Sequence, residues 1–134
     1  MSKLFYRQLG EGPPLFILHG LYGSSDNWIS IARQIANQFT VYLPDARNHG
    51  QSPHETTQSF DDMASDLAEL MNDLQIYQAN IAGHSMGGKT AINFTALFPE
   101  RVKKLMVIDI STQTYQATQA NPQVENNEIG RANV

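Results

Sequence analysis

The run Asn80-Ile81-Ala82-Gly83-His84-Ser85-Met86-Gly87-Gly88 passes from an apolar strand pattern, through a glycine-flanked turn, into a helical pattern. Gly-x-Ser-x-Gly at such a junction reads as a nucleophile elbow. The turn is so tight that side chains two positions either side of the serine would collide with the neighbouring strand and helix, and Gly83 and Gly87 carry none. Such a turn lifts the Ser85 hydroxyl clear of the sheet, and the following helix aims its N-terminal amides at any negative charge that forms there. As a bare pentapeptide the motif is equally a plain turn. The strand pattern before it and the helical run Thr90 to Phe98 after it favour the elbow.

The same residues spell a rival. Gly83-His84-Ser85-Met86-Gly87-Gly88-Lys89-Thr90 fits the phosphate-binding loop Gly-x-x-x-x-Gly-Lys-[Ser/Thr], which also joins a strand to a helix. Leu105 to Asp109 then reads as the apolar strand whose terminal aspartate helps to hold magnesium. The rest of the chain has to choose between ester chemistry and nucleotide binding.

With 134 residues, the chain is long enough for one domain with a sizeable core and too short for two. A net charge of -4 and the lack of a basic stripe argue against a nucleic-acid partner. The absence of cysteine excludes thiol chemistry, disulfides and thiolate metal sites, and neither a metal nor a cofactor is expected. The start, Met1 to Arg7, lacks a cleavable apolar segment, and no run approaches the roughly 20 apolar residues of a membrane helix. A soluble, cytoplasmic protein without a membrane partner is the expectation.

Taken in order, Leu4 to Leu9 reads as a strand ending at Gly10-Glu11-Gly12-Pro13-Pro14, and Leu15 to His19 as a strand covered on both faces. The glycine-rich loop from His19 to Ser25 lets backbone approach something closely; Ser25 or Asp26 is expected to cap the helix through Trp28, Ile31, Ala32 and Ile35. Phe39 to Leu43 is the next strand. In the loop Asp45 to Pro53, Asp45 and Arg47 suggest a paired or turn-stabilising staple. Ser59-x-x-Asp62 begins a capping box, followed by apolar positions Phe60, Met63, Ala64, Leu67, Leu70, Met71 and Leu74 at helical spacing. Pro99 stops the elbow helix, and Lys104 to Ile110 is a further buried strand. Strands alternating with helices imply right-handed parallel crossovers: an α/β class, doubly wound, mostly parallel sheet, with chemistry at the carboxyl ends of its strands. His19, Asp45, Ser85 and Asp109 all fall at such ends.

Together the blocks Leu18-His19-Gly20-Leu21-Tyr22-Gly23-Ser24, Asp45-Ala46-Arg47-Asn48-His49-Gly50-Gln51-Ser52, Gly83 to Lys89 and Val107-Ile108-Asp109-Ile110 resemble the α/β-hydrolase superfamily, and within it the small bacterial serine esterases of the YbfF type. The resemblance spans residues 5 to 112, the N-terminal half of that fold. It implies a partial hydrolase domain over 1–112, cut short after the strand ending at Asp109; the run beyond it, rich in Gln and Asn and without apolar periodicity, reads as a polar, flexible tail over 113–134. It implies Ser85 as nucleophile, the backbone amides of Leu21 and Met86 as oxyanion hole, and Asp109 as triad acid, the alternative for Asp109 being a loop cap. It implies a small-molecule ester or thioester substrate. Esterases of this type are similar to the chain at Gly88-Lys89 as well, so the lysine is expected without any nucleotide.

One part of the pattern is missing. In this fold the base is a histidine that follows both serine and acid, and none follows Asp109. Of the four histidines, His19 is expected to fix the oxyanion loop by hydrogen bonds and His84 to pack under the elbow, while His49 and His54 are remote substitutes for the base. Two readings remain: an esterase sequence, impaired or a fragment, or a non-catalytic hydrolase-like interaction module. The last strand would have an uncovered edge, which makes self-association a further expectation.

Overall fold

The computed structural model of the chain describes residues 3–108. The expected tail over 113–134, the acid candidate Asp109 and the end of the last strand at Ile110 lie outside the described residues.

Five strands, β1 (Tyr6–Gly10), β2 (Pro14–Leu18), β3 (Thr40–Pro44), β4 (Ala79–His84) and β5 (Val102–Ile108), form one sheet in the order β1-β3-β2-β4-β5. Strand β1 runs antiparallel to β3, with Tyr6 opposite Pro44; the other three pairings are parallel. The mostly parallel α/β sheet expected from the strand–helix alternation is therefore present. Residues 11–13, between β1 and β2, are too few for a crossover, so β2 runs opposite to β1, and β3, inserted between them and parallel to β2, is therefore antiparallel to β1.

Because side chains alternate along a strand, each buried strand feeds two cores. Phe16, Tyr42, Ile81, Leu105 and Val107 face helices α2 (Phe60–Asp73) and α3 (Met86–Leu97). Ile17, Val41, Leu43 and Ala82 face the opposite way, toward α1 (Ile29–Ile35). The continuous apolar runs in the sequence are thus two interleaved half-patterns. On the α1 side, Trp28, Ile31 and Ile17 border a broad apolar groove that reaches across Ala82 to Met106 and Ile108.

Local chemistry sets the helix ends. Ser59 caps α2 in a reciprocal box with Asp62, as its sequence implies. A short 3₁₀ turn, Ser25–Trp28, precedes α1, and its cap is Ser24 rather than Ser25 or Asp26: the Ser24 hydroxyl accepts the Asp26 N–H while Asn27 reaches back to the Ser24 N–H. Ser25, the expected cap, is instead buried beneath the loop. Helix α3 begins at Met86, four residues before the apolar periodicity becomes visible at Thr90, because Gly87 and Gly88 add nothing to the pattern.

Helix α2 ends in a Schellman arrangement: Ile76 N–H donates to the Met71 carbonyl at 2.9 Å and Gln75 N–H to the Asn72 carbonyl at 3.0 Å. The residue in the left-handed position is Gln75, at φ 59°. A side chain there costs about 1 kcal/mol that glycine would not incur. Gln75→Gly should therefore raise the urea midpoint, by about 0.5–1 kcal/mol of stability, with an unchanged denaturant slope; equal or lower stability would contradict this account of the helix end.

Candidate active site

Strand β4 and helix α3 are separated by a single residue, Ser85, at φ 56° and ψ -118°. A non-glycine residue held there stores on the order of 1–3 kcal/mol of strain, which persists only where the surroundings enforce it. They do so through the glycines. A Cβ on Gly83 would overlap the Gly87 carbonyl, and one on Gly87 would overlap the carbonyls of Leu18 and His19. Helix α3 thus sits backbone-to-backbone against β4 and the end of β2. The corner leaves Ser85 exposed, with its side chain making no capping bond, at the N-terminus of α3. Met86 is the first residue of the helix, and Lys89 N–H makes the first helical bond, to the Ser85 carbonyl at 3.0 Å.

The loop after β2 comes up beside this corner. The Gly20 position is so close that a Cβ there would stand 3.2 Å from Ser85 Cβ and 3.0 Å from His84 Nδ1. Gly23 N–H donates to the Gly20 carbonyl at 3.0 Å, closing a turn with Leu21 and Tyr22 at its centre. Tyr22 adopts φ 64°, the left-handed conformation that a type II turn requires of its third residue. Leu21 and Tyr22 project outward, Tyr22 with 91% of its surface exposed.

The carboxyl ends of β2, β3 and β4 accordingly bring His19, Asp45 and Ser85 to one rim of the sheet. His19 is 2% exposed. Its Nε2 accepts the Ala46 N–H at 3.0 Å, so its proton resides on Nδ1, which donates to the Gly20 carbonyl at 2.7 Å. This is the loop-fixing role expected of it. Burial pushes the His19 imidazole below its ordinary value, against smaller upward contributions from the Gly20 carbonyl and Asp45; His49 adds to the lowering. His49 packs its ring 5.2 Å from that of His19 and spends its Nδ1–H on the Arg47 carbonyl at 2.9 Å. His84 is half-buried on the α1 face of β4, its ring 5.8 Å from that of Trp28. Among the described residues no imidazole is hydrogen-bonded to Ser85.

Asp45 and Arg47 do not pair with each other. Asp45 takes backbone amides, Ser25 N–H at 2.6 Å and Gln51 N–H at 2.8 Å. Arg47 reaches across to α2 and grips Asp66 through Nε at 2.7 Å and the second amino group at 2.9 Å, with Thr57 beside them. Asp66 holds the Arg47 guanidinium above its ordinary range. Sequence reading missed this pair, although a signal existed: Asp66 falls on the apolar stripe of α2, between Met63 and Leu67, where a carboxylate needs a cation.

The phosphate-loop reading fails on geometry. Gly83 lies in the strand and Gly88 inside the helix, so one residue, not a phosphate-wrapping loop, connects them. Thr90, whose hydroxyl would hold magnesium, is buried and donates to the Met86 carbonyl at 3.0 Å. Among the described residues no three His, Asp or Glu cluster as a metal site would need, and no helix is long and apolar enough to cross a membrane.

Residues 13–128 match the family model for the alpha/beta hydrolase fold. The chain belongs to the α/β-hydrolase family. It is 44% identical over 104 residues to a zebrafish (Danio rerio) protein named sn-1-specific diacylglycerol lipase ABHD11, covering 76% of this chain and 33% of that one. It is 41% identical over 102 residues to Esterase YbfF of Escherichia coli, covering 76% of this chain and 40% of that one. Among solved structures, a marine microorganism esterase superposes with a TM-score of 0.80 at 49% identity, over 90% of this chain and 52% of its own. The chain therefore spans between a third and a half of the length of these relatives, which are esterases and lipases.

Two measurements check the site's electrostatics and packing. Because the folded state lowers the His19 value, unfolded chains bind a proton that native ones refuse. The corresponding stability is fully present above the unfolded value of about 6.5 and is lost as pH falls through the folded value. The His19 ring should titrate below 6.5 by NMR and show the Nδ1–H tautomer above that point; a midpoint at or above 6.5 would refute the burial argument. Arg47→Ala should cost about 3 kcal/mol in urea unfolding by stranding Asp66, whereas Arg47→Met combined with Asp66→Leu should recover most of it.

Proposed function

We propose that this chain carries the nucleophile-bearing part of a serine hydrolase that cleaves small carboxylic esters or thioesters by an acyl-enzyme route. The observation that carries the reading is Ser85 itself: an exposed hydroxyl on a strained one-residue corner, beside the Gly20–Gly23 turn and over a helix N-terminus. In this reading Ser85 Oγ attacks the acyl carbonyl. The Leu21 and Met86 amides receive the oxyanion of the tetrahedral intermediate, each such donor being worth a few kcal/mol in the transition state, about 3. Asp109, one residue beyond the described end of β5, is the acid. The esterase and lipase names of the relatives support the substrate class.

The proton on Ser85 must go to a base, and His84 is the last histidine of the 134 residues. The chain by itself is thus poised but slow: it has the nucleophile and the amide donors, while the proton acceptor is not at the position where this family carries it.

This division of labour can be measured by mass spectrometry of the chain treated with a fluorophosphonate. Labelling should be slow, confined to Ser85, absent in Ser85→Ala, and accelerated in proportion to imidazole added as an external base. Rapid labelling without imidazole would show that a base is present after all. Labelling spread over other serines, or unchanged in Ser85→Ala, would remove the serine-hydrolase reading.

A further inference from the structure

The loop after β2, which presents Leu21, and the loop after β3 share no strand or helix, yet each is held by a side chain rooted in the other. His19, at the end of β2, accepts the Ala46 N–H of the second loop at 3.0 Å. Asp45, at the end of β3, accepts the Ser25 N–H of the first loop at 2.6 Å. The exchange is reciprocal. Each acceptor also ties down its own surroundings: His19 Nδ1–H donates to the Gly20 carbonyl, and Asp45 Oδ2 accepts the Gln51 N–H at 2.8 Å. The Asp45 carbonyl accepts the Ser52 hydroxyl at 2.6 Å, and Ser52 Oγ accepts the Phe5 N–H at 2.9 Å.

Asp45 is 1% exposed, and among the described residues no Lys, Arg or His stands within salt-bridging distance of it. A buried carboxylate without a cation is a costly device for filling space, because an apolar side chain would do that without the loss of hydration. What the carboxylate supplies is two acceptor oxygens set a fixed distance apart, each aimed at a backbone amide of a different loop. Gly50, at φ 50°, is shaped for this: a Cβ there would overlap Asp45 Oδ2.

We propose that His19 and Asp45 are positioning residues for the reaction assigned above: their exchanged hydrogen bonds clasp the two loops and thereby fix the Gly20–Gly23 turn, with its Leu21 N–H, against Ser85. The inference rests on the serine-hydrolase reading for its catalytic meaning. The clasp itself is a structural claim with its own readout.

The Ser25 amide allows a clean test. Among the described residues its N–H makes one bond, to Asp45, and Ser25 is the first residue of its 3₁₀ turn, preceded by Ser24 in an extended conformation at φ -159°. Proline is tolerated in that position. Ser25→Pro therefore deletes the clasp bond alone, apart from the hydroxyl that accepts Arg7 Nε, which Ser25→Ala deletes separately. Two quantities are followed in the full chain: hydrogen exchange of the Gly23 amide, which closes the donor turn, and the affinity of 4-fluorophenylboronic acid for Ser85 by fluorine NMR. The boronate adduct places a negative tetrahedral centre where the amide donors point. Ser25→Pro should speed Gly23 exchange and weaken the boronate by about tenfold each, while Ser25→Ala leaves both within about twofold.

Asp45→Asn is the second variant, should Ser25→Pro not fold. Its amide nitrogen must face one of the two backbone donors, so either Ser25 or Gln51, but not both, should lose protection. A folded Ser25→Pro, or an Asp45→Asn in which Ser25 loses protection, with Gly23 exchange and boronate affinity both unchanged overturns the proposal. So does a freed Gly23 with unaltered boronate affinity, because the loop would then move without consequence at Ser85. If the unsubstituted chain shows no Ser85-dependent boronate binding, the hydrolase reading fails and the positioning role falls with it, while Gly23 exchange still decides whether the clasp exists.

Discussion

Everything at the upper rim of the sheet depends on one steric bargain: the helix that follows β4 must start within one residue of the strand's end and lie against the backbone of β2. Carbonyl oxygens of Leu18, His19 and Gly87 occupy the space where Cβ atoms of Gly87 and Gly83 would stand. Three segments of main chain therefore meet without side chains between them, and the only residue left to absorb the change of direction is Ser85, at φ 56°. Strain at that residue is offset by the packing around it, above all Phe94, Ala91 and Thr90 of α3 buried against α2 and the sheet. The exposure of the hydroxyl is a by-product of how tightly everything beneath it is packed.

The same rim shows how polar groups can be buried without loss. His19, Ser25, Asp45, Ser52 and Asp66 are each nine-tenths or more buried, and each has a hydrogen-bond partner of matching polarity. Most of those partners are backbone amides and carbonyls of the loops, which need satisfying once the loops leave the sheet. A loop folded over a buried carboxylate or a neutral imidazole gains the order that regular secondary structure would otherwise provide. This explains how segments with so much glycine keep a defined shape.

Much of this was legible in the residues. Helix α2 announced itself through Ser59, Asp62 and its apolar spacing, and the elbow through Gly83, Ser85 and Gly87, because both rest on local rules. What stayed hidden was set by partners distant in sequence. The order of the strands depends on which apolar faces meet, and the antiparallel first strand on a connection too short to cross over. Asp45 and Arg47, two residues apart, looked like partners for each other, yet a strand end sends neighbouring side chains to different destinations: one to the loop beside it, the other to a helix. His84 keeps to the alternation of β4, sharing the α1 face with Ala82 and meeting Trp28 there. Opposite-face logic thus places His84 and stops there, because Ser85 leaves the extended geometry at the very next residue. The acid at position 109 falls outside the described residues.

The bare hydroxyl of Ser85 has a wider consequence. No hydrogen bond among the described residues depends on it, and its exposure, its direction and its closeness to the helix N-terminus all come from the main chain. Such a corner is a mount, indifferent to the atom bolted onto it. Any small side chain able to bear the same torsion would be held out at the same spot, so the framework constrains where an attacking atom stands and leaves its element, oxygen or sulfur, open to change without rebuilding what lies below.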